Sequence, residues 1–272
     1  MKAKSTFNTL LAIVCGISPI FLLREPASAL VIFNGYQVSK ATKAAVNEKI
    51  NTIDNFREHG DVQIQGDKDT IALQTNFKVS LVSVVEEEWN SFGRQTLRSN
   101  QILSWGLQET TPTASQRIGE YWSFLGYSYT GENRDEYWSA AFISWAMNEA
   151  GNRVYQSIPF NYHRSHSVYI VDSIENRKRG NTNAGFVGYQ IQEHAPEPGD
   201  LVCYSRASFV TYDTTGRYSA HCDVVTAKRN DEIEVIGGNV RDSVSKKILG
   251  IDSRGMLNDR AYPWFVVIKN NL

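Results

Sequence analysis

Ser139, His221 and Asn239 are the residue types that together run acyl transfer: a hydroxyl that attacks, an imidazole that takes its proton, an amide that orients the imidazole. Ser139 lies near the start of the stretch Tyr137 to Gly151, in which Phe142, Ile143, Ala146, Met147 and Ala150 recur at three- and four-residue steps. Ala141 and Trp145 widen that stripe, so the spacing predicts a helix buried on most sides, with Gly151 as its stop. Asp135 and Glu136 lie upstream, where negative charge suits the positive end of the helix dipole. A hydroxyl in the first turn of such a helix sits beside free backbone amides that can hold an oxyanion. His221 and Asn239 lie on two apolar runs flanking Asn230. A hairpin centred there sets Lys228 opposite Glu232 and His221 opposite Asn239. Directly opposed side chains have Cβ atoms about 4.5–5.5 Å apart, close enough for the amide to fix the imidazole tautomer. A slip of one residue breaks that pairing. Asp223 shares the face of His221, whereas Cys222 points to the other face and makes a poor nucleophile.

Other chemistry-bearing residues support fewer roles. His163 and His166 are three apart and could share a helix face, but no carboxylate stands at a matching spacing for a metal. His166 is therefore expected to line the groove or to make a core hydrogen bond, and no metal or cofactor is expected. Trp138, beside Ser139, and Arg206, a charge next to an apolar strand, are candidate substrate-binding residues with His166 and Asp223. Glu86, Glu87 and Glu88 read as a solvated helix face. Cys203 and Cys222 fit either one disulfide or two buried thiols. Ser243-Val244-Ser245-Lys246 matches SxxK at the level chance allows, and no GxSxG elbow occurs.

The elements that must position these groups emerge from composition and periodicity. The 272 residues are 42% apolar and 21% charged, the composition of a globular protein. A net charge of −1 leaves no basic excess for a nucleic-acid partner. Lys2 and Lys4 precede an apolar run from Phe7 to Leu23, and Ala27-Ser28-Ala29 offers small residues for cleavage, so 1–29 reads as a signal peptide. The run barely reaches the length of a membrane span and contains Asn8, Ser18 and Pro19, which favours cleavage over anchoring. An exported chain with no stable span is expected.

Residues 30–77 read as a small N-terminal module. Asp61 to Gln65 alternates like a strand, and Gly66 to Asp69 reads as a turn before Ile71-Ala72-Leu73. The main body, 78–272, starts with Leu81, Val85, Trp89 and Phe92 at helical spacing. The aromatic-rich segment 104–131 is either core or a substrate-facing rim, and 171–194 reads as a helix end and polar loop. The last third turns to strands around Leu201–Tyr204, His221–Ala227, Ile233–Ile236 and Trp264–Ile268. Helices first and strands second predict an α+β fold with helices packed on an antiparallel sheet.

Four segments carry a family resemblance: Trp138-Ser139-Ala140-Ala141-Phe142-Ile143-Ser144, Pro198-Gly199-Asp200-Leu201-Val202-Cys203, His221-Cys222-Asp223-Val224-Val225 and Gly237-Gly238-Asn239-Val240. In this order they resemble the DUF2272 family of bacterial proteins. The same skeleton is similar to the NlpC/P60 and CHAP group of papain-like cell-wall amidases and peptidases. That resemblance covers roughly 78–272 and implies a papain-like fold, an envelope location and peptidoglycan or cell-wall peptide as partner. It also implies a nucleophile at Ser139, a base at His221 and an orienting residue at Asn239. The group has cysteine where this chain has Ser139. A thiol can ionise beside a histidine at a helix start; a hydroxyl needs an active general base. Three readings result: a hydrolase using serine, a non-catalytic cell-wall-binding module, and a structural envelope protein.

Overall fold

The computed structural model describes residues 65–272, with side chains from Phe77 onward, and one two-residue antiparallel pair, Arg24–Glu25 with Ser28–Ala29. The expected signal peptide and the module at 30–77 lie almost wholly outside the described residues. The chain divides into two units, Met1–Gln63 and Ile64–Leu272.

Four helices and eight strands make up the second unit: α1 (Gln65–Ser91), β1 (Gln95–Arg98), β2 (Gln101–Ser104), α2 (Pro112–Phe124), α3 (Ser139–Arg153), α4 (His166–Lys178), β3 (Phe186–Gln190), β4 (Leu201–Ser205), β5 (Ala220–Lys228), β6 (Glu232–Gly237), β7 (Ser245–Gly250) and β8 (Trp264–Asn270). The strands form one open sheet in the order β2-β1-β7-β6-β5-β4-β8-β3. Every neighbouring pair is antiparallel except β1 with β7, so the class is α+β. Helix α3 packs on α1, α2 and strands β5 and β6, and α4 lies against β3, β8 and β5.

Helix α1 begins at Gln65 and runs through the expected turn at Gly66–Asp69 and the expected edge of the module at 77/78. The expected strand at Asp61–Gln65 lies outside the described residues apart from Gln65, which is the first residue of the helix. Strands β1, β2, β3 and β7 are not marked by the sequence pattern, β3 because it comes directly after a polar loop.

Both sheet faces are covered. Under the helices, Leu81, Ile118, Trp122, Phe142, Ile143, Met147 and Ile170 pack onto Leu201, Cys203, Cys222, Val224, Ile236 and Val266. On the far face Val202, Tyr204, Val225, Val235, Leu249, Trp264 and Val267 form a second cluster, with Leu257 and Tyr262 from the β7–β8 connection. Tyr121 and Trp122 are therefore core, while Trp105 of the same aromatic segment is two-thirds exposed. Of the three glutamates on α1, Glu88 is not solvated. It is buried, accepts two hydrogen bonds from Arg117 and is hydrogen-bonded by the Tyr121 hydroxyl. Its position one turn before Phe92 turns it toward α2, so a run of like charges split across a helix need not share one environment.

Helix α3 does not stop at Gly151 but continues to Arg153. A Cβ at Gly151 would lie 2.6 Å from Ile158 Cγ1 and 2.7 Å from the Gln156 carbonyl, so this glycine serves the close return of the chain rather than a cap. In the Pro198-Gly199-Asp200 turn, Gly199 has φ +91° and the buried Asp200 carboxylate accepts backbone N–H bonds from Glu197 and Asn270. It also meets Lys78 and His194. That aspartate ties the start of β4 to β8 and α1.

Cys203 and Cys222 face each other across β4 and β5 and form a disulfide. With a sequence separation of 19 residues, a cross-link of this span contributes about 3 kcal/mol by restricting the unfolded chain.

Candidate active site

Ser139 is the first residue of α3 and is 2% exposed. The backbone amides of Ser139, Ala140 and Ala141 have no backbone acceptor among the described residues; the first turn's bonding starts with Phe142 N–H to the Trp138 carbonyl. The Ser139 Oγ lies 2.7 Å from Nε2 of His166, the first residue of α4. The other ring nitrogen, Nδ1, is hydrogen-bonded to the Tyr169 hydroxyl, one helical turn along α4. His163, by contrast, precedes α4, so the two histidines do not share a helix face.

A second histidine stands close by. The rings of His166 and His221 have centroids 5.2 Å apart. His221 Nε2 is 3.0 Å from Asp223 Oδ1 and its Nδ1 is 3.2 Å from a guanidinium nitrogen of Arg206. A guanidinium only donates, so Nδ1 is the acceptor, and the ring proton sits on Nε2 and goes to Asp223. Asp223 also meets Lys247, whose Nζ is 2.7 Å from Oδ2, an ion pair held by proximity without aligned hydrogen-bond angles. Both of these side chains are completely buried. The Lys247 ammonium lies 5.0–5.5 Å from the ring centroids of Tyr204, Tyr262 and Trp264, within cation–π range of all three.

This line of charge spans three strands. Asp223 is on β5, Lys247 on β7, and β6 runs between them. The gap is bridged because β6 ends in glycine: a Cβ at Gly237 would fall 2.1 Å from Asp223 Oδ1. Gly238 is pressed against α3 in the same way, its missing Cβ 2.6 Å from that of Phe142. Two glycines thus let the end of β6 pass between the acid and the helix that carries Ser139.

The hairpin register holds at Val224 opposite Ile236 and Val225 opposite Val235. It fails at both ends. A bulge after Val225 moves Lys228 opposite Ile233 rather than Glu232. At the other end β6 stops at Gly237, and Asn239 adopts φ +55°, a left-handed turn conformation that asparagine tolerates. Asn239 is therefore not paired with His221, and Asp223 takes the position on Nε2 expected for it. Trp138 is likewise not a groove residue. It is 1% exposed, its ring tilted against those of Phe92 and Tyr121, with its indole N–H bonded to Glu109 at 2.9 Å. Asp223 is sealed from solvent between His221 and Lys247, which leaves Arg206 as the exposed member of the candidate set.

Two residues of the site, Tyr169 and Lys247, are not among the candidates that the sequence pattern offers. The i, i+3 spacing of His166 and Tyr169 is a legible signal for the first. For the second, the signal is a lysine at an inward position of the strand Ser245-Lys246-Lys247-Ile248-Leu249.

Burial decides the protonation states. It holds His166 well below the usual imidazole range, with the charges of His221 and Arg206 adding to it. Burial also lowers His221, against the pull of Asp223 and with help from Lys247 and Arg206, to about 4. Asp223 is held low by Lys247 and His221 despite burial. A histidine whose folded pKa is depressed stabilises the fold above its unfolded pKa, 6.5 here, and that contribution disappears as pH falls through the folded value. His221 alone accounts for about 3 kcal/mol between pH 6.5 and 4. His166 acts in the same direction, and Asp223 extends the loss below pH 4. Denaturant titrations at about pH 7, 5.5 and 4.5 should therefore show a steady fall in stability, and a flat profile would contradict neutral, buried histidines.

The DUF2272 family model, described as an uncharacterized protein conserved in bacteria, matches residues 105–270. No curated protein and no solved structure matches the chain.

Proposed function

The chain belongs to the DUF2272 family, and on that premise we propose that its second unit is an exported, papain-like hydrolase domain that cleaves an amide or ester of cell-wall peptide. The observation that carries the reading is the 2.7 Å hydrogen bond between Ser139 Oγ and His166 Nε2 at the start of a buried helix. Ser139 attacks the acyl carbon, His166 takes the hydroxyl proton and returns it to the leaving group, and the α3 amides hold the oxyanion. His221, anchored by Asp223, forms the neighbouring wall. A helix with the nucleophile at its first residue, packed on a mostly antiparallel sheet in which β5 carries His221, supports the papain-like comparison. The Cys203–Cys222 disulfide supports an oxidising compartment.

The test is covalent labelling of the mature protein by a fluorophosphonate, with release of soluble fragments from purified peptidoglycan as the second readout. Both are expected for the wild type, and both should be lost in Ser139→Ala. Labelling that survives the substitution places the nucleophile elsewhere.

One observation favours the binding-module reading. The buried Tyr169 hydroxyl has His166 Nδ1 as its only hydrogen-bond partner among the described residues. If that hydroxyl donates, the ring proton sits on Nε2 and points at Ser139, which leaves the serine without a base. Retained binding to peptidoglycan with no labelling and no release would establish that state as the working one.

A further inference from the structure

Arg206 opens the connection between β4 and β5, and its side chain is exposed while the strand residues on either side of it in space are buried. Among the described residues it has no carboxylate partner; its one side-chain hydrogen bond goes to His221 Nδ1, a neutral acceptor. Its guanidinium also stands 6.0 Å from the centre of the Tyr204 ring. The one carboxylate of the site, Asp223, is already neutralised by Lys247. Arg206 thus holds an exposed positive charge, with no carboxylate partner among the described residues, directly against His221.

We infer that Arg206 is the subsite for a carboxylate of the substrate, and that this carboxylate draws Arg206 off His221. The inference rests on the acyl-transfer reading of the same site and names the class of peptide it takes: one with a free carboxylate near the scissile acyl group. A planar guanidinium matches a carboxylate with two parallel hydrogen bonds, an exchange of a neutral acceptor for a charged one. While Arg206 sits on Nδ1, His221 has no lone pair to offer, and removal of Arg206 restores it. Substrate recognition and the freeing of a second base are then one movement.

The experiment uses the full mature chain carrying Ser139→Ala, so that binding is read without turnover. An N-acetylated alanine dipeptide with a free C-terminal carboxylate is titrated against its C-terminal carboxamide by calorimetry, with the His221 ring nitrogens followed by NMR. The acid is expected to bind at least roughly 10-fold more tightly, the scale of a charge-assisted bidentate pair, and to shift the Nδ1 resonance. Arg206→Gln removes the preference, and Arg206→Lys, which keeps the charge without the fork, retains part of it. Equal affinities, no binding of either peptide at millimolar concentration, or a preference that survives Arg206→Gln would overturn the inference. A preference for the acid in a protein that neither labels nor releases fragments leaves the carboxylate subsite standing and removes the hydrolase reading.

Discussion

His166→Gln is expected to suppress fluorophosphonate labelling and peptidoglycan release by roughly 10²–10⁴-fold, the range in which a positioned general base contributes. The double variant with Ser139→Ala should lose no more than Ser139→Ala alone, because nucleophile and base act as one unit. The reason is the geometry. Ser139 Oγ has one side-chain partner in the site, His166 Nε2, and the helix that supplies each of them begins at that residue. His221 is not an equivalent substitute, since both of its nitrogens are engaged by Asp223 and Arg206. Burial keeps His166 unprotonated at neutral pH, the state a base needs. Tyr169→Phe then reports which ring nitrogen carries the proton. A fall in rate means that Tyr169 accepts from Nδ1 and holds Nε2 as the base. A rise means that its own proton had occupied Nδ1 and turned the Nε2 proton toward Ser139. A His166→Gln variant that labels at the wild-type rate would move the base assignment to His221.

How much of this site the sequence discloses depends on the range of the interactions. The α3 helix, its serine at the start and the α+β order of elements rest on local periodicity, and periodicity survives folding. The β5–β6 register is legible at Val224 and Val225 because alternation fixes it wherever both faces are buried. The same rule cannot foresee the bulge after Val225 or the end of β6 at Gly237, so it sets Asn239 opposite His221 where the sheet has already ended. The two glycines at 237 and 238 carry the needed information only in three dimensions, where one clears Asp223 and the other Phe142. His166 reads as a groove or core residue. Its meeting with Ser139 depends on how α4 lies against the start of α3, a docking that neither segment encodes alone. Lys247 is hidden for the same reason: its partner is two strands away, and only the sheet order β7-β6-β5 brings them together.

That pair carries the second large effect. Lys247→Met is expected to cost about 3–5 kcal/mol, because it leaves the Asp223 carboxylate buried with only a neutral histidine to meet it. For a domain of this size the loss lowers the melting temperature by roughly 10 °C or more. The double variant Lys247→Met with Asp223→Asn should recover a large part of it, since asparagine still accepts the Nε2 proton of His221 and no charge is left unpaired. Recovery of this kind is the sign of an ion pair whose desolvation cancels most of its attraction, and its size is read from a double-mutant cycle in denaturant. The single variant also alters the acid profile. Lys247 is one of the charges that hold His221 down, and Asp223 pulls it up. With the lysine gone the folded pKa of His221 rises toward its unfolded value, so the stability lost between pH 6.5 and 4 shrinks. A Lys247→Met protein as stable as the wild type, with an unchanged acid profile, would mean that the Asp223 charge is met by something other than Lys247. In that case His221 would owe its orientation to Arg206 rather than to the buried line of charge that crosses β6.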